Sequence, residues 1–217
     1  MDQAIKQEVQ PFSGTPGAAA AILARTPRGN LHAGLVFVRS GRVEFLHLAW
    51  EDRLATDWPW NGVWACPAVE PERLRSVAAM CRRVRKKFDR DRKFPYALRF
   101  DDSSFDQAGR LVLGVNARGL TCATFILAIF NSVGVVLVDE KSWPVRRHED
   151  DGFLAFLSAH ATTQHMEILR REVDEGVRRI WPDEVLGACT VSSLPVEFEL
   201  ARSAANTALE LLDEARD

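Results

Sequence analysis

Three residues of this chain have the types and spacing needed for nucleophilic chemistry: Cys122, His32 and His47. Cys122 stands in Gly119-Leu120-Thr121-Cys122-Ala123-Thr124-Phe125-Ile126-Leu127-Ala128-Ile129-Phe130. A cysteine attacks as its thiolate, and a neighbouring imidazole that accepts the thiol proton is the commonest way to generate one. Thr121 suits an N-cap, because its hydroxyl can accept from the freed N–H groups of a first helical turn. Cys122 then takes the first helical position. At that end the helix dipole favours negative charge on sulfur, and the same N–H groups can receive the oxyanion of an acyl intermediate. From Ala123 to Phe130 nearly every side chain is apolar, which predicts a helix enclosed on all sides, stopped by Asn131 and Gly134.

The elements that must bring an imidazole to this helix are two β-rich runs. Leu31-His32-Ala33-Gly34-Leu35-Val36-Phe37-Val38 and Val43-Glu44-Phe45-Leu46-His47-Leu48-Ala49 flank Arg39-Ser40-Gly41-Arg42, a tight-turn composition. With Ser40-Gly41 at the turn, the pairing runs Arg39 with Arg42, Val38 with Val43, Val36 with Phe45, Gly34 with His47 and His32 with Ala49. Alternation then puts His32 and His47 on one face as diagonal neighbours, roughly 7 to 8 Å apart at the backbone, with Gly34 leaving the rings room. The predicted relay has His32 as the base for Cys122 and His47 as the group that fixes its tautomer. The sequence leaves these two roles exchangeable.

These segments resemble the circularly permuted papain-like hydrolases of the NlpC type, which include the lecithin retinol acyltransferase-like enzymes. His32-Ala33-Gly34-Leu35-Val36-Phe37 is similar to that family's His-x-Gly/Ala strand, Phe45-Leu46-His47-Leu48-Ala49 to its second-histidine strand, and Thr121-Cys122-Ala123-Thr124-Phe125 to its nucleophile helix. The histidine precedes the cysteine, as in the permuted order. The resemblance covers roughly residues 30 to 135 and implies that Cys122, His32 and His47 are nucleophile, base and third polar residue. The chain departs from the acyltransferase branch, which usually has Asn-Cys-Glu-His at the nucleophile, so amide or thioester hydrolysis is expected ahead of lipid acyl transfer.

Around this centre the sequence offers further candidates. Trp58-Pro59-Trp60-Asn61-Gly62-Val63-Trp64 is an aromatic loop, and Trp58 and Trp60 are candidates for substrate contact, although such clusters more often close a core. Tyr96, the only tyrosine, lies in the approach to the nucleophile and is a third candidate for the substrate site. Residues 71 to 88 read as an amphipathic helix with Leu74, Val77, Ala78, Cys81, Val84 and Phe88 on one face. Its basic side, running on to Lys93, suits either solvent or an anionic partner such as nucleic acid or anionic lipid. Gly17 to Leu23 is expected to be a short Ala-rich helix, Leu111 to Val115 and Val135 to Val138 short strands, and Asp101-Asp102 a turn. Residues 153 to 179 and 198 to 215 read as helices. His160 and His165, about 140° apart on a helix, suit packing or surface better than joint metal binding.

Composition sets the frame. With 217 residues, 47% hydrophobic residues and a net charge of −2, the chain can bury a full core. Cys66, Cys81, Cys122 and Cys189 have no Cys-x-x-Cys spacing, which argues against a zinc knuckle or a secreted disulfide framework. The first residues lack the basic leader of a signal peptide, and no run is apolar enough for a membrane span, so a cytoplasmic protein is expected. The reading is therefore an α+β protein of permuted papain-like fold, an antiparallel sheet packed on a central nucleophile helix. Residues 1–150 form the expected catalytic core and 151–217 a helical C-terminal extension. The expected activity is cysteine hydrolysis of a peptide or peptidoglycan-type amide through an acyl-enzyme on Cys122, with no metal or organic cofactor. The alternatives are a lipid acyltransferase or thioesterase, and a non-catalytic binding protein that uses the basic helix of residues 71–93.

Overall fold

The computed structural model describes residues 10–11, 19–26, 29–39, 42–56, 62–91, 93–159 and 161–214. The protein is a mixed α+β structure organised by the hairpin of β3 (Leu31–Arg39) and β4 (Arg42–Trp50). Its register pairs Arg39 with Arg42, Val38 with Val43, Val36 with Phe45 and Leu35 with Leu46, as the alternation and the turn composition predict. Strands β1 (Gln10–Pro11), β2 (Ala19–Arg25), β5 (Arg53–Ala55) and β6 (Gly62–Ala65) complete a six-stranded antiparallel sheet in the order β1-β6-β2-β3-β4-β5. A small second ladder joins β7 (Ser104–Phe105) to β8 (Leu111–Val112).

Strand β2 corrects the expected Ala-rich helix. Alanine has the highest intrinsic helix propensity, but tertiary context overrides it here. β2 lies between β3 and β6, and its side chains are buried on both faces. Ala19, Ala21 and Leu23 join the main core, while Ala20 and Ile22 pack with Val36 and Phe45 on the opposite face. The small side chains let helices approach the middle of the sheet on the main-core side.

Those helices are α1 (Pro71–Asp91), α2 (Cys122–Asn131), α5 (Pro182–Cys189) and α6 (Phe198–Glu214). Every residue of α2 from Cys122 to Phe130 is buried, the enclosed helix the apolar run predicts. It packs on β3 and β4 and touches α1 and α5. α5 is absent from the sequence reading. It crosses α6 so closely that a Cβ on Gly187 would sit 2.3 Å from the Ala201 carbonyl oxygen. Residues on both sides of position 150 contribute to one main core, from Ala19 to Leu212.

The helical region expected from 153 to 179 holds two helices, α3 (Arg147–Leu157) and α4 (Thr163–Asp174), followed by an irregular segment that ends at Trp181. α3 and α4 pack on each other through Leu154, Leu157, Met166, Leu169 and Val173. Val138 forms an isolated parallel bridge with Val196 rather than a strand. Among the described residues no helix is long and apolar enough to cross a membrane.

Candidate active site

Helix α2 begins where its sequence says it should. Thr121 is extended and its hydroxyl accepts from the Thr124 N–H at 3.2 Å, while the Thr124 hydroxyl accepts from the Thr121 N–H at 2.7 Å. This reciprocal cap holds Cys122 at the first helical position, against the positive end of the dipole.

Facing it across the hairpin, His32 Nε2 lies 2.7 Å from His47 Nδ1, with the rings edge-on and their centroids 4.7 Å apart. His47 is buried and stacks on Phe45 at 4.6 Å. Gly34 makes this possible: a Cβ there would lie 2.5 Å from the Phe45 ring and 2.8 Å from His47 Cβ. With Nε2 of His32 engaged by His47, Nδ1 is the nitrogen left for the Cys122 thiol. Burial pushes that thiol up, but the charge and hydrogen bond of His32, the Ala33 backbone N–H and the charge of Arg179 outweigh burial and hold it below its ordinary value.

Cys122 and His32 open into a cavity of about 980 Å³. Trp50, Phe153, Phe156 and Trp181 give it an aromatic wall, and Tyr96 and Arg179 face it beside the cysteine. Tyr96 packs on Trp50 with centroids 4.6 Å apart, and burial and the adjacent Cys122 push its hydroxyl up. The structure thus brings Cys122, His32, His47 and Tyr96 together, while Trp58 and Trp60 lie outside the described residues. The basic helix α1 does not line this cavity. Arg85 there pairs with Glu44 at 3.0 Å and Lys87 with Asp91 at 2.7 Å.

The far wall comes from residues that the sequence reading did not single out. Glu184, fully buried in the first turn of α5, accepts from Trp143 Nε1 at 2.9 Å, Arg146 Nη1 at 2.6 Å and the Trp181 N–H at 2.9 Å. Arg146 Nη2 also donates to the Arg179 carbonyl at 2.7 Å. One carboxylate thereby fixes the backbone of the Arg179-Trp181 segment. The available signal was Trp181-Pro182-Asp183-Glu184, a proline at the first helical position with a glutamate two residues on, which marks a helix start. His165 is neither at the surface nor free. It is buried in α4 with Nε2 at 2.8 Å from the Tyr96 carbonyl and Nδ1 at 2.8 Å from Glu51, so it ties α4 to the cavity wall. His160 lies outside the described residues.

The remaining cysteines stand apart. Cys81 and Cys189 are fully enclosed, and burial pushes both thiols up. None of the four cysteines is in a disulfide. Among the described residues no three His, Cys, Asp or Glu side chains come together to hold a metal ion. No protein-family model, curated protein or solved structure matches the chain.

Proposed function

We propose that the protein is a cysteine hydrolase of the permuted papain-like, NlpC type, cleaving an amide bond through an acyl-enzyme on Cys122. The observation that carries this reading is the 2.7 Å contact between His32 and His47 beside a cysteine capped at the start of a buried helix. With its proton on Nε2 and donated to His47 Nδ1, His32 keeps a lone pair on Nδ1 for the thiol proton. The thiolate attacks the carbonyl carbon, forming a C–S bond, and the N–H groups at the start of α2 receive the oxyanion. As the C–N bond breaks, His32 returns the proton to the leaving amine. Water then adds to the thioester, giving its proton to His32. The C–S bond breaks, the acid departs and the thiol is restored. A peptide amide is the first choice of substrate.

The test is the rate of Cys122 alkylation by iodoacetamide against pH, read by mass spectrometry, in the wild type and His32→Ala. A thiol that ionises well below ~8.5, and whose value rises when His32 is removed, supports the reading. Slow alkylation with an ordinary or raised value, indifferent to His32, sinks it. The apolar walls of the cavity favour a second reading, hydrolysis or transfer of a fatty acyl ester or thioester on the same residues. Acyl-chain mass on Cys122 after incubation with phospholipid would distinguish that reading from peptide cleavage.

A further inference from the structure

Among the described residues that line the cavity, Arg179 is the one buried Asp, Glu, Lys or Arg, whereas Glu51, Arg53 and Glu149 are exposed, and the hydrolytic steps give it no bond-making task. It is 5% exposed. Its guanidinium carbon lies 3.4 Å from the centre of the Phe153 ring and 3.8 Å from that of Trp181. Nη1 is enclosed and faces Asp150, its ion-pair partner at 3.6 Å. Asp150 is itself buried and does not line the cavity. A buried cation stacked on aromatic rings keeps its faces occupied and its N–H groups donate in the guanidinium plane, so the donors turned away from Asp150 are those that can meet a ligand in the cavity. A planar fork of this kind matches a carboxylate, which accepts two parallel N–H bonds, better than it matches any neutral group.

We propose that Arg179 anchors a carboxylate of the substrate, so that the molecule cleaved at Cys122 carries a free carboxylate together with an aromatic or aliphatic body. N-acyl amino acids and the carboxyl ends of short peptides are the class that fits. The assignment rests on the hydrolase reading for the bond cleaved, but the anion site stands on the geometry of Arg179 alone. Asp150 holds the charge in place from behind, and the cavity side of the guanidinium receives the ligand. Phe153 and Trp181 shield the pair from water, which strengthens it. The Arg146-Glu184 contacts fix the backbone from which Arg179 projects.

The test uses two alkylating probes of nearly the same size, iodoacetate and iodoacetamide, on Cys122 in the intact protein. Their rate ratio cancels changes in thiolate nucleophilicity and keeps only the response to the probe's carboxylate. Arg179→Gln is expected to lower the iodoacetate to iodoacetamide ratio by about tenfold, and Arg179→Lys to restore it only in part. A ratio that stays within twofold of wild type in Arg179→Gln overturns the proposal, as does full restoration by lysine, which would mean general charge attraction rather than a fork. Should Arg179→Gln leave Asp150 unpaired and unfold the protein, the double variant Arg179→Gln/Asp150→Asn removes both charges together. Protection of wild-type Cys122 from iodoacetamide gives a second reading. N-benzoylglycine is expected to protect and N-benzoylglycinamide not to, whereas equal protection, or none, overturns the proposal. The iodoacetamide pH profile separately reports the thiolate, so a loss of the anion preference and a failure of the hydrolase reading are distinguishable.

Discussion

Cys122 and Cys189 are both buried cysteines at a helix end, and their thiols are pushed in opposite directions. Cys122 is the first residue of α2 and Cys189 the last of α5, so one faces the positive end of a helix and the other the negative end. Burial raises both. Of the two, only Cys122 has an imidazole, a backbone N–H and a guanidinium to offset it, and it lines the cavity that Cys189 does not. Enclosure makes a cysteine inert unless a charge partner accompanies it into the interior.

The contrast can be broken in steps. Replacing Cys122 by serine should lower amide turnover by roughly 10⁴- to 10⁶-fold, read on acyl amino acid and peptide substrates, whereas Cys189→Ala should leave it unchanged. His32→Ala should lower turnover by about 10³-fold and make Cys122 behave like Cys189 toward iodoacetamide. The pH dependence has a definite sign. The wild-type thiol is held low, so rapid alkylation persists at pH values where an ordinary thiol is protonated, and it is lost as pH falls through the lowered value. In His32→Ala that loss moves to higher pH. His47→Ala should cost about 10- to 100-fold in turnover, the usual penalty for losing a partner that orients a histidine, with a smaller displacement of the same alkylation profile. At the small end, Cys189→Ala should cost about 1–2 kcal/mol of stability in urea unfolding and Thr121→Ala about 1 kcal/mol. Only Thr121→Ala should also slow Cys122 alkylation at neutral pH.

The parts of the molecule legible in the sequence are those set by local rules. The hairpin register follows from alternation and turn composition, and the start of α2 from a threonine before an apolar run. β2 was misread because the preference of its alanines for helix is local, while the reason they form a strand, burial from both sides between β3 and β6, is not. Arg179 and Trp181 were illegible for the same reason. Their place on the wall depends on Glu184 meeting Trp143 and Arg146, contacts about forty residues apart in the chain. The helical spacing leaves His165 to packing or surface, and nothing local to α4 indicates that its ring bridges Glu51 and the Tyr96 carbonyl.

The origin of the cavity's far wall in Phe153, Phe156 and the Arg179-Trp181 segment has a consequence for biosynthesis. A ribosome makes Cys122 and both histidines well before it reaches Trp181. Until residue 184 has left the exit tunnel, the hairpin and α2 lack both the far wall of the cavity and the α5 side chains that share their core. The thiol is then open to oxidants, and the aromatic side chains of the sheet end are open to other nascent chains. The protein is therefore expected to gain chemical protection of its own sulfur late in synthesis, in the same docking event that closes the cavity.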